Sequence, residues 1–209
     1  MNKFLKKFMK TTFEDISDKS WYSTLFSYMI DSKFRTYKRL DHFLKEQLEK
    51  PDIAVKLMAM QFMKYKNPDK IIIEILKWVH ANIRYTGDNA NFGRTEYWAT
   101  AAETLAKKRD DCDGLNALVY ILFRLCTADI MDNFTFCTIG DVKTSKGSTG
   151  HFWMIYFSPK TEKWYPIDAT YYPNMQEIGQ GRRAFKFETK TRYMNVWYYF
   201  NSTYILKQQ

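Results

Sequence analysis

Apolar positions along the chain change their period near residue 134, from about 3.6 to two. Before that point they recur at helical spacing: Ile53, Leu57 and Met60 fall at i, i+4 and i+7, and residues 1–66 as a whole read as helices. Lys50-Pro51-Asp52 and Asn67-Pro68-Asp69 each supply a helix start, with proline in the first turn and an acid near the N-terminal dipole. The second start opens the run Ile71 to His80, apolar enough to be buried on more than one side. Residues 87–94 form a turn-rich loop, and a further helix covers about 99–108. Leu115, Leu118, Val119, Leu122 and Leu125 mark a core helix that Asp110-Asp111 would cap. Then the period switches. Phe134–Ile139 and His151–Phe157 alternate, residues 158–163 turn, Trp164–Asp168 is a strand and Val196–Phe200 the last one. Helices followed by an antiparallel sheet make an α+β plan, with the N-terminal helices packed on the sheet. The expected division is a helical extension over residues 1–68 and a main domain over 69–209.

Composition narrows the classes. The chain has 209 residues, 45% apolar and 26% charged, which is ordinary globular composition. Aromatics reach 18%, more ring surface than a core of this size needs, leaving rings for a cleft or a partner surface. No apolar run approaches the ~20 residues of a membrane span. The basic stretch Met1–Lys10 lacks the apolar core of a signal peptide, and three cysteines argue for reduced thiols, so a cytoplasmic location is expected. Lys and Arg number 32 against 23 Asp and Glu, a net charge of +9. The lysines are scattered among acids with no Arg-rich block, so they read as a solvated face and argue against nucleic acid as a partner.

Three residues could carry chemistry together. Cys112 at a helix N-terminus, His151 at the head of a strand and Asp168 at the end of the next one form a candidate Cys-His-Asp triad. Unpaired N–H groups at a helix start stabilise a thiolate and can hold an oxyanion, an imidazole relays the proton, and a carboxylate fixes its tautomer. A hairpin turning at residues 159–161 would bring His151 and Asp168 to one sheet end. Each residue also has a plain reading. Cys112 alone fits a small buried side chain, His151 a strand residue with a satisfied hydrogen bond, and Asp168 a turn residue capping Tyr171-Tyr172-Pro173. Cys126 and Cys137 read as core, and His42 and His80 as core or boundary. No paired Cys/His spacing is present, so neither zinc nor another metal or cofactor is expected. Residues 143–150 read equally as a gating loop and as a plain hairpin.

The stretch from Ile75 to Tyr85, then Glu96-Tyr97-Trp98 and Glu103-Thr104-Leu105, then Asp111-Cys112-Asp113, resembles the transglutaminase-like superfamily, nearest its bacterial and phage-encoded cysteine proteinases. Gly150-His151-Phe152-Trp153 and Trp164-Tyr165-Pro166-Ile167-Asp168 continue the likeness. The resemblance implies a papain-like core over 69–209, with Cys112 as nucleophile, His151 as general base and acid, and Asp168 as orienter. It implies an oxyanion or cleft role for Trp98, Asp113 and Trp153. Four positions depart from the pattern: Asp110 stands for a glycine, Gly114 for an acid, Phe152 for a small residue and Ala101 for a proline. The implied activity is thiol-dependent acyl transfer on a protein or peptide, by hydrolysis or by transamidation. The alternative is a structural or interaction protein that keeps the fold, as a virion component or host-interaction protein. It would dock through its basic helices and aromatic C-terminus, in the host cytoplasm or the virion.

Overall fold

The computed structural model describes residues 13–15, 27–31, 36–171 and 193–208. The stretch Met1–Lys10 and the pair Tyr172-Pro173 lie outside them. Of the helices expected over residues 1–66, those among the described residues stand from residue 40 onward. Before it stand three short strands, β1 (Phe13–Asp15), β2 (Ser27–Asp31) and β3 (Thr36–Arg39). β2 and β3 form a hairpin that pairs Tyr28 with Lys38 and Met29 with Tyr37, while β1 pairs with the C-terminal strand. Strand pairing, across the chain for β1 and within a local hairpin for β2 and β3, decides these segments rather than a helical period.

The helices from residue 40 follow their sequence signals. These are α1 (Leu40–Glu49), α2 (Ile53–Phe62) and α3 (Pro68–Asn82). Asp52 accepts the Ala54 N–H at 2.7 Å, and Asn67 accepts the Asp69 N–H at 2.8 Å with Pro68 in the first turn. The expected loop at 87–94 holds one short helix, α4 (Asp88–Phe92), stopped by Gly93 at φ +67°. Thr100 and Glu103 close a capping box on α5 (Ala101–Lys107). Two-residue strands β4 (Arg84–Tyr85) and β5 (Arg109–Asp110) then pair in parallel and lead into α6 (Cys112–Thr127), buried from Asp113 to Arg124. A short 3-10 turn, Ala128–Phe134, connects it to the sheet.

That sheet is antiparallel throughout, in the order β1-β10-β9-β6-β7-β8, with β6 (Thr135–Thr144), β7 (Gly147–Ser158), β8 (Lys163–Ile167), β9 (Tyr193–Phe200) and β10 (Ile205–Gln208). β6 and β7 stay in register from Thr135↔Tyr156 to Thr144↔Gly147, so residues 143–150 are a tight hairpin. The gating-loop reading fails there, because the ladder leaves only two residues outside it.

Strand alternation splits the interior into two layers. Phe152, Met154 and Tyr156 face α6 and join a core with Leu118, Ile121 and Leu122. Trp153 and Ile155 point the other way, into a smaller cluster with Val142, Val196 and Tyr199. Leu40, Phe43 and Leu44 of α1 and Val55, Ala59 and Phe62 of α2 belong to the first core, so residues on both sides of position 68 share it. A polar tie crosses the same layer: buried Asp69, in the first turn of α3, accepts the hydroxyls of Tyr156 at 2.6 Å and Ser158 at 2.9 Å.

Candidate active site

Cys112 opens α6, where Asp111 is the N-cap and accepts the Asp113 N–H at 3.3 Å. The side chain keeps partial exposure. Burial, followed by the Asp113 and Asp111 carboxylates, pushes its thiol well above the usual range, and the Phe152 backbone N–H donates to it and works against that rise. The expected lowering by the helix terminus is thus outweighed by burial and by the acids around it.

His151 and Asp168 meet as the hairpin geometry predicts. His151 Nε2 lies 2.9 Å from Asp168 Oδ2, with both side chains buried. Since Nε2 is committed to the carboxylate, proton exchange with a thiol falls to Nδ1. The imidazole stacks on Trp153 at 6.0 Å and an interplanar angle of 13°, with Tyr171 at 4.9 Å. Asp168 also keeps its plain role: Oδ1 accepts the Thr170 N–H at 2.9 Å in a local turn. Tyr193, brought in by β9, donates its hydroxyl to Oδ2 at 2.8 Å.

Among the described residues no hydrogen bond joins the Cys112 thiol directly to His151. The link between them runs through Asn116, one turn after Cys112 and fully buried. Its Nδ2 donates to Phe152 O at 2.8 Å, Cys112 O at 3.0 Å and Asp168 Oδ1 at 3.3 Å, while its Oδ1 accepts the Ala169 N–H at 2.8 Å. One carboxamide therefore ties the Cys112 turn, the His151 strand and the Asp168 turn together. Sequence reasoning missed it. The available signal was a polar residue at i+4 from Cys112, inside an otherwise apolar core helix.

The other predicted residues are placed as follows. Trp98 is buried edge-on against Phe152 and Phe43, and its indole N–H donates to Glu96 at 3.0 Å. Trp153 lies in the second cluster beneath His151, against Tyr193 at 5.0 Å. Asp113 is buried, and burial together with neighbouring Asp111 holds its carboxyl well above the usual range. Cys126 and Cys137 pack into the core as expected, and His80 Nδ1 lies 3.3 Å from Ala169 O.

The sequence suggested no metal ligands, yet the fold gathers three acids. One oxygen each of Asp88, Asp110 and Asp111 lie within 4.8 Å of one another. Burial and the nearby Asp111 carboxylate push Asp88 up to about 7, and burial pushes Asp110 up to about 6. Asp88 Oδ1 and Asp113 Oδ1 are buried without a hydrogen-bond partner. An all-oxygen donor set of three crowded carboxylates, with Asp88 Oδ1 unsatisfied, fits a hard divalent cation and does not fit zinc.

Comparison with known proteins bears on the fold that carries these residues. Residues 53–135 match the model of a transglutaminase-like domain. No curated protein matches the chain. Among solved structures, the chain is similar to Legionella pneumophila LapG. Against its EGTA-treated form the identity is 11% and the TM-score 0.51, covering 80% of this chain and 84% of that one. A second LapG structure gives 11% identity and a TM-score of 0.50, covering 80% and 87%. The calcium-bound form gives 10% and 0.47, covering 93% and 88%. At such identities the likeness concerns the fold.

Proposed function

Because the chain carries a transglutaminase-like domain on a helix-and-antiparallel-sheet fold, we propose that it is a thiol-dependent acyl-transfer enzyme acting on a peptide or side-chain amide. The observation that carries this reading is the His151–Asp168 pair at 2.9 Å, bound through Asn116 to the helix turn that presents Cys112. Cys112 attacks the carbonyl carbon, and the thiol proton passes to His151 Nδ1. The C–N bond breaks as His151 returns that proton to the leaving amine, leaving a thioester on Cys112. Water, or an acceptor amine, then attacks the thioester, and His151 carries its proton to the departing sulfur. Asp168 holds the ring through Nε2 and stabilises the imidazolium. The Cys112 N–H at the helix start supplies an oxyanion donor. Nucleophile and base commonly stand beyond hydrogen-bond reach in a substrate-free site and tighten on binding. Asp88, Asp110 and Asp111 would hold a divalent cation such as calcium, whose charge would offset their mutual repulsion beside the helix start.

One observation favours a second reading, a structural or host-interaction protein that retains the fold: burial and then the neighbouring acids raise the thiol, and it bonds to the strand backbone at Phe152. Labelling separates the two. With iodoacetamide at neutral pH, rapid modification of Cys112 that collapses in His151→Ala supports the enzyme. Equal, slow rates in both proteins support the scaffold. Incubating wild type and Cys112→Ser with host lysate then identifies the reaction by mass spectrometry. New termini mean peptide hydrolysis, converted glutamines mean amide hydrolysis, and Gln–Lys links mean transamidation.

A further inference from the structure

Helix α2 turns Val55, Ala59 and Phe62 inward, yet its outer side is apolar as well. Ile53, Leu57, Met60 and Met63 are 67%, 56%, 61% and 46% exposed. A helix that is hydrophobic all round is ordinarily buried all round. Here the outer residues form a single row, with Ile53, Leu57 and Met60 at i, i+4 and i+7 and Met63 closing it at the C-cap. Such a row is a ridge of about 15 Å, the footprint of one helix lying alongside another. Clustered exposed apolar residues mark a contact surface in a way that scattered ones do not.

The charge around the ridge has one sign. Between residues 50 and 66, Lys50, Lys56, Lys64 and Lys66 are all exposed, and Asp52 is the one acid. Its carboxylate is engaged as the α2 cap. Lys56 stands on α2 three residues after Ile53 and four before Met60, and Lys64 follows the helix end with its ammonium 5.1 Å from the Tyr65 ring centroid, so both lysines border the row.

We propose that the outer face of α2 docks an acidic amphipathic helix of a partner protein. Its apolar residues would lie along Ile53, Leu57 and Met60, and its Asp or Glu residues would meet Lys56 and Lys64. Two other occupants fit less well. A second copy packed about a two-fold axis would set lysines against lysines. Interfacial membrane helices insert Trp, Phe and Leu over a longer segment, whereas this row holds no aromatic and half of it is methionine, whose flexible thioether adapts to a protein partner. This surface is independent of the chemistry at Cys112.

The test uses the full chain and a fluorescein-labelled amphipathic helical peptide with leucine on one face and glutamate on its flanks, alongside a twin carrying lysine in place of glutamate. Fluorescence anisotropy should show the acidic peptide binding at least about tenfold tighter than its twin. Leu57→Glu with Met60→Glu should abolish that binding while leaving the melting temperature in place, since both positions are exposed. Lys56→Glu with Lys64→Glu should reverse the preference between the twins. Equal affinities for the two peptides, or indifference to both variant pairs, would overturn the proposal. Phosphatidylserine vesicles that retain the wild type and release Leu57→Glu/Met60→Glu would assign the face to a membrane and overturn it too. A dimer in sedimentation that the same variant dissolves would assign it to a second copy, with the same result.

Discussion

Replacing Gly114 with alanine probes how the start of α6 is built. A Cβ at this position would lie 2.2 Å from Cγ and Oδ2 of Asp110 and 2.7 Å from its Cβ, closer than real contacts come. Asp110 has no cheap way to yield. It is fully buried, its Oδ2 accepts the Thr104 hydroxyl at 2.6 Å, and its Oδ1 accepts the Asp111 N–H at 3.0 Å. Losing a hydrogen bond to a charged group costs about 1.5–3 kcal/mol, and overpacking a filled site adds about 1–3 kcal/mol. Alanine in place of a helical glycine returns about 1 kcal/mol. The net expectation is a loss of about 2–5 kcal/mol, read by urea denaturation followed by circular dichroism. Asp110→Gly alone takes the carboxylate from the Asp111 N–H and leaves the Thr104 hydroxyl only its longer bond to the Thr100 carbonyl, and should cost about 1–3 kcal/mol. In the double variant the new methyl occupies the space the carboxylate vacates. The two losses should therefore combine to less than their sum, with a coupling of about 1–3 kcal/mol. Additivity within about 0.5 kcal/mol would refute the reasoning. The same contact explains two departures from the family pattern at once, because an acid at 110 requires the absence of a side chain at 114.

Three further outcomes are expected. Asn116→Leu takes the carboxamide away from the Phe152 carbonyl, Asp168 Oδ1 and the Ala169 N–H, a loss of about 2–4 kcal/mol by denaturation. It should also slow iodoacetamide labelling of Cys112 at temperatures where the chain stays folded, and an unchanged rate would remove Asn116 from the site. Burial pushes the Cys126 thiol up to about 12 and raises Cys137 as well, so peptide mapping after alkylation at pH 8 should find both unmodified. The folded-state value of Cys126 exceeds an unfolded value of about 8.5, so its contribution to stability is fully present below that pH. It drains away as pH climbs toward 12, and Cys126→Ala should flatten that decline. Calcium should raise the melting temperature and chelation should lower it, with Asp88→Asn abolishing the difference; an equal shift in the variant would show that the ion binds elsewhere.

What the sequence made legible was whatever rests on local pattern. The Asn67-Pro68-Asp69 start, the run from Leu115 to Leu125, and the alternation through His151–Phe157 all correspond to observed elements, as does the meeting of His151 with Asp168 across one hairpin. What it hid depends on partners outside the segment itself. The strand at 13–15 is received by the one at 205–208, those at 27–31 and 36–39 receive each other, and no period within them says so. Asn116 looked like an incidental polar residue until Phe152 and Asp168 supplied its acceptors. Asp88 sat in a stretch that read only as turn, and its place beside Asp110 and Asp111 follows from the parallel pairing of β4 with β5, two residues each. The rise of the Cys112 thiol was half visible. Asp111 and Asp113 flank the cysteine in the sequence, whereas the burial that raises it most follows only from the packing.

The order of strands in the sheet has a consequence for how the molecule is born. β9, synthesised late, lies between β10 and β6 in the middle of the sheet, and it delivers Tyr193 to Asp168 from 25 residues further along. At translation speeds of about 5–20 residues per second, that interval lasts about 1–5 s. A ribosome-bound chain with only the β6–β7–β8 meander in hand thus has an open flank and an incompletely braced carboxylate. The His151–Asp168 pair therefore gains its last brace only after Tyr193 has been made, well after the hairpin that first brings the two together.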